Sequence, residues 1–266
     1  VSEVELTEYL DRPMSPPDEA AWRAIEAGPI APGLALPRGR LDRLLDPASL
    51  EAETGWCRLD DGVAYVAVRT PMPAVSAEMV DWWFDWHPRR PLRYRVWFPG
   101  AHESNSLDPP PTPGAKPHWG AVHHPVEDIG LGMTRVRIEF VRPSAIGFGT
   151  DALDDPAVAT IVCGWAGDEG KRMRAGPMVH VFLREGDGVV LRSRFWLGAT
   201  LRPYAPAPIA AAVGRLVNNR LIRRLALPAE LPRALARHCA AEYANFATLI
   251  PELYARFDPG SDDRLA

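Results

Sequence analysis

The chain has 266 residues, 47% of them hydrophobic, enough to bury a substantial core as one large domain or as a domain with an added segment. A formal net charge of -4 and a pI near 6.0 give no broad attraction to nucleic acid or to an anionic membrane, so function should rest on a local site. No stretch has the apolar length of a membrane-spanning helix and Val1 begins no signal-peptide pattern, which makes the cytoplasm the expected compartment.

Residues 1–58 read as a leading extension: a short helix after Ser15-Pro16-Pro17-Asp18-Glu19, then an irregular passage through Pro29, Pro32, Gly33 and Pro37. A homodimer contact through this extension is an open expectation. From 59 to 266 a single domain is expected. Gly62 to Arg69 predicts a strand, and Val75 to Trp86 a helical stretch dense in Trp and Phe. Further strands are expected at Leu92 to Phe98, Met133 to Val141, Val158 to Trp165, Met178 to Leu183 and Val189 to Leu197. Glu185-Gly186-Asp187-Gly188 joins the last two as a hairpin turn. Asp108 to Lys116, with Pro109, Pro110, Pro111 and Pro113, reads as a surface excursion. Helices over Ile209 to Leu225 and Ala229 to Ile250, separated by Pro228, close the chain. This order describes an α+β fold in which a curved antiparallel sheet wraps the long last helix and leaves a cavity between them.

That last helix carries the strongest functional signal. Leu231, Leu235, His238, Glu242, Phe246, Leu249 and Leu253 share one helical face, which places an imidazole and a carboxylate on a stripe that should be apolar. Burying both is costly unless they pair with each other or converge on a metal ion, and periodicity leaves the two readings open. Metal binding would need further ligands from the sheet. His102 follows Trp97-Phe98-Pro99-Gly100-Ala101, where a turn can aim it at the cavity mouth, and Glu127 lies in Val126-Glu127-Asp128-Ile129-Gly130. The rival Glu139 alternates with Arg135 and Arg137, which points to a solvated, salt-bridged strand face.

His180 sits between Met178 and Phe182 on an apolar strand face, where a lone histidine is commonly a hydrogen-bonded core residue. His118, His123 and His124 read as exposed loop histidines, with His123 able to reach the site if its loop folds inward. The Trp82-Trp83-Phe84-Asp85-Trp86-His87-Pro88 run reads as core packing rather than as an aromatic-binding surface. Arg215, Arg220, Arg223 and Arg224 read as the solvated face of an amphipathic helix. Cys57, Cys163 and Cys239 are widely spaced and read as buried thiols.

Trp83-Phe84-Asp85-Trp86-His87-Pro88, Arg93-Tyr94-Arg95-Val96-Trp97-Phe98-Pro99-Gly100-Ala101-His102 and His238-x-x-x-Glu242, in this order, resemble the 2,4-diacetylphloroglucinol hydrolase and phloretin hydrolase family across roughly residues 60 to 250. The resemblance implies a Bet v 1-like helix-grip fold. It also implies zinc-dependent hydrolysis of the carbon-carbon bond joining an acyl group to a polyhydroxylated aromatic ring; two histidines and two carboxylates would equally suit iron or manganese. Carried over by position, His102, Glu127, His238 and Glu242 would be metal ligands, Tyr94 and Asn105 would hold the phenolic substrate, and His180 would be catalytic. Phe195 stands where the family has a second substrate-binding tyrosine, so one phenolic contact is expected to be absent or moved. Two other functions fit the same fold class: a hydrophobic or aromatic ligand carrier without chemistry, and a metal hydrolase acting on a nonaromatic β-diketone.

Overall fold

The computed structural model describes residues 3–257 except 49, 111 and 113–115; Pro111 and Pro113 of the expected excursion lie outside the described residues. The leading segment contains α1 (Glu3–Thr7) and α2 (Glu19–Glu26). Asp18 caps α2 by accepting from the Ala21 N–H, as the Ser-Pro-Pro-Asp start leads one to expect. The sheet begins with β1 (Gly55–Arg58), which lies on the N-terminal side of the division expected after residue 58, and continues with β2 (Ala64–Met72). Next come α3 (Ala77–Trp86), α4 (Pro91–Arg95), and the short strands β3 (His102–Ser104), β4 (Leu107–Asp108), β5 (Val122–His123) and β6 (Val126–Asp128). Four long elements form the body of the sheet: β7 (Met133–Val141), β8 (Val158–Asp168), β9 (Met173–Glu185) and β10 (Gly188–Leu197). After β11 (Arg202–Pro203), α5 (Ala207–Val217) and α6 (Arg220–Ala226) lead into α7 (Leu231–Phe257).

All pairings are antiparallel, in the order β1-β2-β10-β9-β8-β7-β5-β4, with β6 joining β3 to β7 and β11 on β9. Successive residues of a strand face opposite ways, and both faces here are covered. Val66, Val68, Phe140, Phe182 and Leu191 face inward onto α7 and α3, while Tyr65, Ile161, Cys163, Val181 and Trp196 face outward onto residues of the 35–45 and 148–153 stretches. Near-continuous burial along β9 and β10 follows from that double cover. The result is the expected α+β helix grip.

Three expectations need correction. Leu92 to Phe98 is not a strand: Pro91 sits in the first turn of α4 and presets its φ, while extended Arg90 precedes it. The buried face of α7 is also wider than one stripe, taking in Ala236, Cys239, Ala240 and Tyr243: Tyr243 lies against His180 of β9, and α2 and α3 pack on the helix as well. Finally, α5 and α6 expose apolar as well as basic residues: Leu216, Leu221 and Leu225 are largely open, whereas Arg223 is buried and paired with Asp61.

The Trp-rich run packs as core. Trp83 lies edge-on to Trp97 and Phe246, joining α3 to α7. The leading segment packs on α7, with Tyr9 and Arg12 on Glu252 and Ser15 on Asn245. Among the described residues no helix is long and apolar enough to cross a membrane.

Candidate metal centre and cavity

His102 and Glu127 are direct partners across the β3–β6 pair, a position that holds two Cβ atoms roughly 5 Å apart. His238 and Glu242 come from α7, one turn apart. The His102 and His238 Nε2 atoms lie 3.3 Å from each other. Glu242 Oε2 is 3.6 Å from His102 Nε2 and 3.7 Å from His238 Nε2, and Glu127 Oε2 is 3.6 Å from His102 Nε2. Donor atoms of His102, Glu127 and His238 all fall within 4.8 Å of one another.

The hydrogen bonds of the outer ring nitrogens limit what this cluster can hold. His102 Nδ1 lies 3.3 Å from the Tyr94 carbonyl, and His238 bonds to the Asp128 backbone. A carbonyl only accepts, so each ring carries its hydrogen on the far nitrogen and turns an Nε2 lone pair toward the other. Two lone pairs and two carboxylates facing each other repel. Burial, with His238 beside it, pulls His102 well below the ordinary imidazole range; burial, with Glu127 beside it, pushes Glu242 well above the ordinary carboxyl range. A divalent cation removes all of these costs at once, and backbone carbonyls orienting the far ring nitrogens are the usual support of metal-bound histidines. The residues therefore fit a metal ion.

Tyr94 bridges this centre to the cavity. Its ring stacks on His102 at 4.0 Å, its hydroxyl donates to Glu127, and burial followed by the Glu127 charge holds its phenol well above the ordinary range. The adjoining cavity, about 80 Å³, is walled by Phe140, Met178, Phe195 and Tyr243 and edged by Asn105, His123 and His180. On β9, His180 Nδ1 lies 2.8 Å from Ser193 Oγ of β10, and burial pulls its pKa down to about 3, so the ring is neutral.

The structure thus brings together His102, Glu127, His238 and Glu242, with Tyr94, Asn105, His180 and Phe195 on the cavity they border. Glu139 is elsewhere, on the opposite strand face from Phe140, paired with Arg137 and Arg174. His118 and His123 are not exposed: both are 1% accessible, because the 118–124 stretch folds inward against Phe84 and Phe140. Sequence reasoning gave no role to His87, Ser193 or Tyr243. For Ser193 a signal existed, since it alternates with Leu191 and Phe195 on the inner face of β10. His87 ends a helix, where its ring bonds back to the Trp83 carbonyl, and no spacing rule marks that.

The DAPG hydrolase PhiG domain profile matches residues 36–255. The chain is 30% identical over 255 residues to a phloretin hydrolase of Eubacterium ramulus, covering 93% of this chain and 88% of that protein. It is also 30% identical over 247 residues to a 2,4-diacetylphloroglucinol hydrolase of Pseudomonas protegens, covering 90% and 80%. Among solved structures, norcoclaurine synthase from Thalictrum flavum aligns at 11% identity over 77% of this chain and 90% of that one, with a TM-score of 0.35.

Proposed function

Because the chain belongs to the DAPG hydrolase family, we propose that it hydrolyses the carbon-carbon bond between an acyl group and a polyhydroxylated aromatic ring, with a divalent metal held by His102, Glu127, His238 and Glu242. The observation that carries this reading is the convergence of two imidazole lone pairs and two carboxylates beside an aromatic-walled cavity. A ligand carrier has no use for such a cluster, since leaving these groups buried together destabilises it. The relatives named for phloretin and 2,4-diacetylphloroglucinol support an acylphloroglucinol-type ketone over a nonaromatic β-diketone. Zinc suits the two-nitrogen, two-oxygen donor set, and iron or manganese also suits it.

The bound metal would supply Lewis acidity toward a carbonyl or phenolic oxygen and toward water. The chain's own residues do the rest. Water adds to the acyl carbon, the carbon-carbon bond breaks with its electron pair going to the ring carbon, and that carbon takes a proton. His180 is the group placed to move the proton, its Nδ1 fixed on Ser193 and its other ring nitrogen left for the cavity. Tyr94 gives its own hydrogen to Glu127 and so meets a substrate hydroxyl as an acceptor. Phe195, Phe140 and Tyr243 exclude bulk water. Phe195 offers no hydrogen bond, which favours a ring with an unsubstituted or differently placed position there. At about 80 Å³ the cavity is smaller than the roughly 300 Å³ at which ligand pockets begin, so binding an acylphloroglucinol requires the walls to yield, and Met178 is the most adaptable side chain among them.

The test is loss of ketone absorbance from acylphloroglucinols with and without chelator, alongside metal analysis of the purified protein. Chelator-sensitive cleavage is expected; a metal-free protein that binds these ketones without turnover would establish the carrier reading instead.

A further inference from the structure

Away from the metal centre the cavity ends in a histidine cluster organised by Asn105, and its hydrogens can be assigned one by one. The His124 backbone N–H can only donate, so the Asn105 amide atom 3.1 Å from it is Oδ1, and the other amide atom is the nitrogen. That nitrogen lies 3.2 Å from His87 Nε2 and 3.5 Å from His123 Nδ1. His87 Nδ1 is 2.6 Å from the Trp83 carbonyl and must carry the ring hydrogen, which leaves Nε2 to accept from Asn105. The second amide N–H of Asn105 then points to His123 Nδ1, and the single hydrogen of the neutral His123 ring falls on Nε2.

Two consequences follow. Asn105 has both N–H groups and its carbonyl engaged within the protein. His123 lines the cavity, is 1% exposed, and has a buried Nε2 with no protein partner among the described residues. A buried donor without a partner is disfavoured unless water or a ligand supplies the acceptor, and for a nitrogen on the cavity wall a bound ligand can do so. We propose that His123, rather than Asn105, donates the hydrogen bond to a ring oxygen of the substrate, and that Asn105 is a positioning residue that fixes the tautomers of His87 and His123. A donor at this place selects an oxygen able to accept: the phenolic oxygen of a polyhydroxylated ring, and the keto oxygen it becomes when the ring carbon is protonated. The identity of the ring rests on the proposed function; the donor assignment does not.

The experiment measures binding of phloroglucinol, resorcinol and phenol by quenching of tryptophan fluorescence, in metal-loaded wild type and in His123→Phe, Asn105→Asp and the double variant. Phenylalanine keeps a ring against Phe140 and removes the donor; His123→Leu serves if it does not fold, and thermal melts check each protein. Wild type should discriminate along the series, losing about tenfold for the hydroxyl that meets His123. His123→Phe should weaken phloroglucinol by about tenfold, leave phenol unchanged and flatten the series. His123→Gln, which keeps an N–H, should restore part of it. The double variant should be no weaker than His123→Phe alone, because Asn105 acts through His123. Additive losses, or a His123→Phe series parallel to wild type, would overturn the assignment. Absence of acylphenol cleavage by wild type would sink the proposed function while leaving this binding series to be read independently.

Discussion

The two faces of the central strands bury polar groups in opposite ways. On the outer face of β10, Arg192 uses all five of its N–H groups, on Glu53 and on the carbonyls of Leu44, Asp46 and Ala48. Arg194 beside it shares Glu53 and reaches the Ser193 carbonyl, though its Nε has no partner among the described residues. On the inner face, His102, His238, Glu127 and Glu242 crowd together without neutralising one another, and His123 keeps an unpaired nitrogen. The Arg192–Glu53 network ties the leading segment onto the sheet; the inner cluster has no such opposite charge to neutralise it, which is what the proposed metal would supply.

The largest effect is expected where the inner cluster is broken. His238→Ala should leave the purified protein without stoichiometric metal and lower turnover by roughly a thousandfold or more, the loss of several kcal/mol of transition-state stabilisation. Full metal occupancy in that variant would contradict the ligand assignment. The outer cluster should answer differently. Glu53→Ala leaves Arg192 and Arg194 buried without their carboxylate, and breaking such a group by removing one partner costs about 3–5 kcal/mol. Denaturant melts should show that loss while metal content stays stoichiometric. A variant that instead sheds its metal would mean the two faces are not separable.

Acid titration separates the faces without mutation. Burial pulls His87 and His180 down to about 3 and His118 down to about 4, so these rings stay neutral in the folded protein while the unfolded chain protonates them below about 6.5. Between those values the unfolded state holds more protons, and stability falls as pH falls, by about 1.4 kcal/mol per ring per pH unit. Glu53 behaves otherwise. Burial pushes its carboxyl up, but the Leu50 N–H and the Arg192 and Arg194 guanidiniums outweigh burial and leave it below the ordinary range. Its contribution is therefore present above about 4.5 and disappears only as pH falls further. Denaturant melts at pH 7, 6 and 5 should already show the imidazole loss. A flat profile across that window would mean the histidines are not buried as neutral rings.

The same contrast explains what was legible in the sequence. Helical spacing exposed His238 and Glu242 because they interrupt an apolar stripe, and strand alternation placed Glu139 apart from the inward-facing Phe140. Pairing across β3 and β6, which sets His102 beside Glu127, depends on two very short strands far too brief to show periodicity. The inward fold of His118 and His123 escaped for a similar reason: a loop histidine buried against Phe84 and Phe140 has the same local pattern as an exposed one. Arg192 and Arg194 look like solvated strand residues until the leading segment is laid over them. Burial that arises from distant segments leaves no mark on neighbouring positions in the chain.

Ser193 and Arg194 put the comparison into adjacent residues. The Arg194 guanidinium faces outward toward Glu53, whereas Ser193 faces inward and its Oγ is 2.8 Å from His180 Nδ1. Removing the hydroxyl should cost the fold only about 1 kcal/mol, the net worth of one buried hydrogen bond. Turnover should suffer more, because an imidazole without its Nδ1 partner can rotate or change tautomer and present the wrong nitrogen to the ring carbon. For Ser193→Ala, kcat should fall about tenfold with KM and metal content nearly unchanged, and Ser193→Thr should recover most of it because the hydroxyl is kept. A rise in KM with kcat unchanged, or a Thr variant as slow as Ala, would show that Ser193 only packs and that His180 takes its orientation from Phe195 and Tyr243.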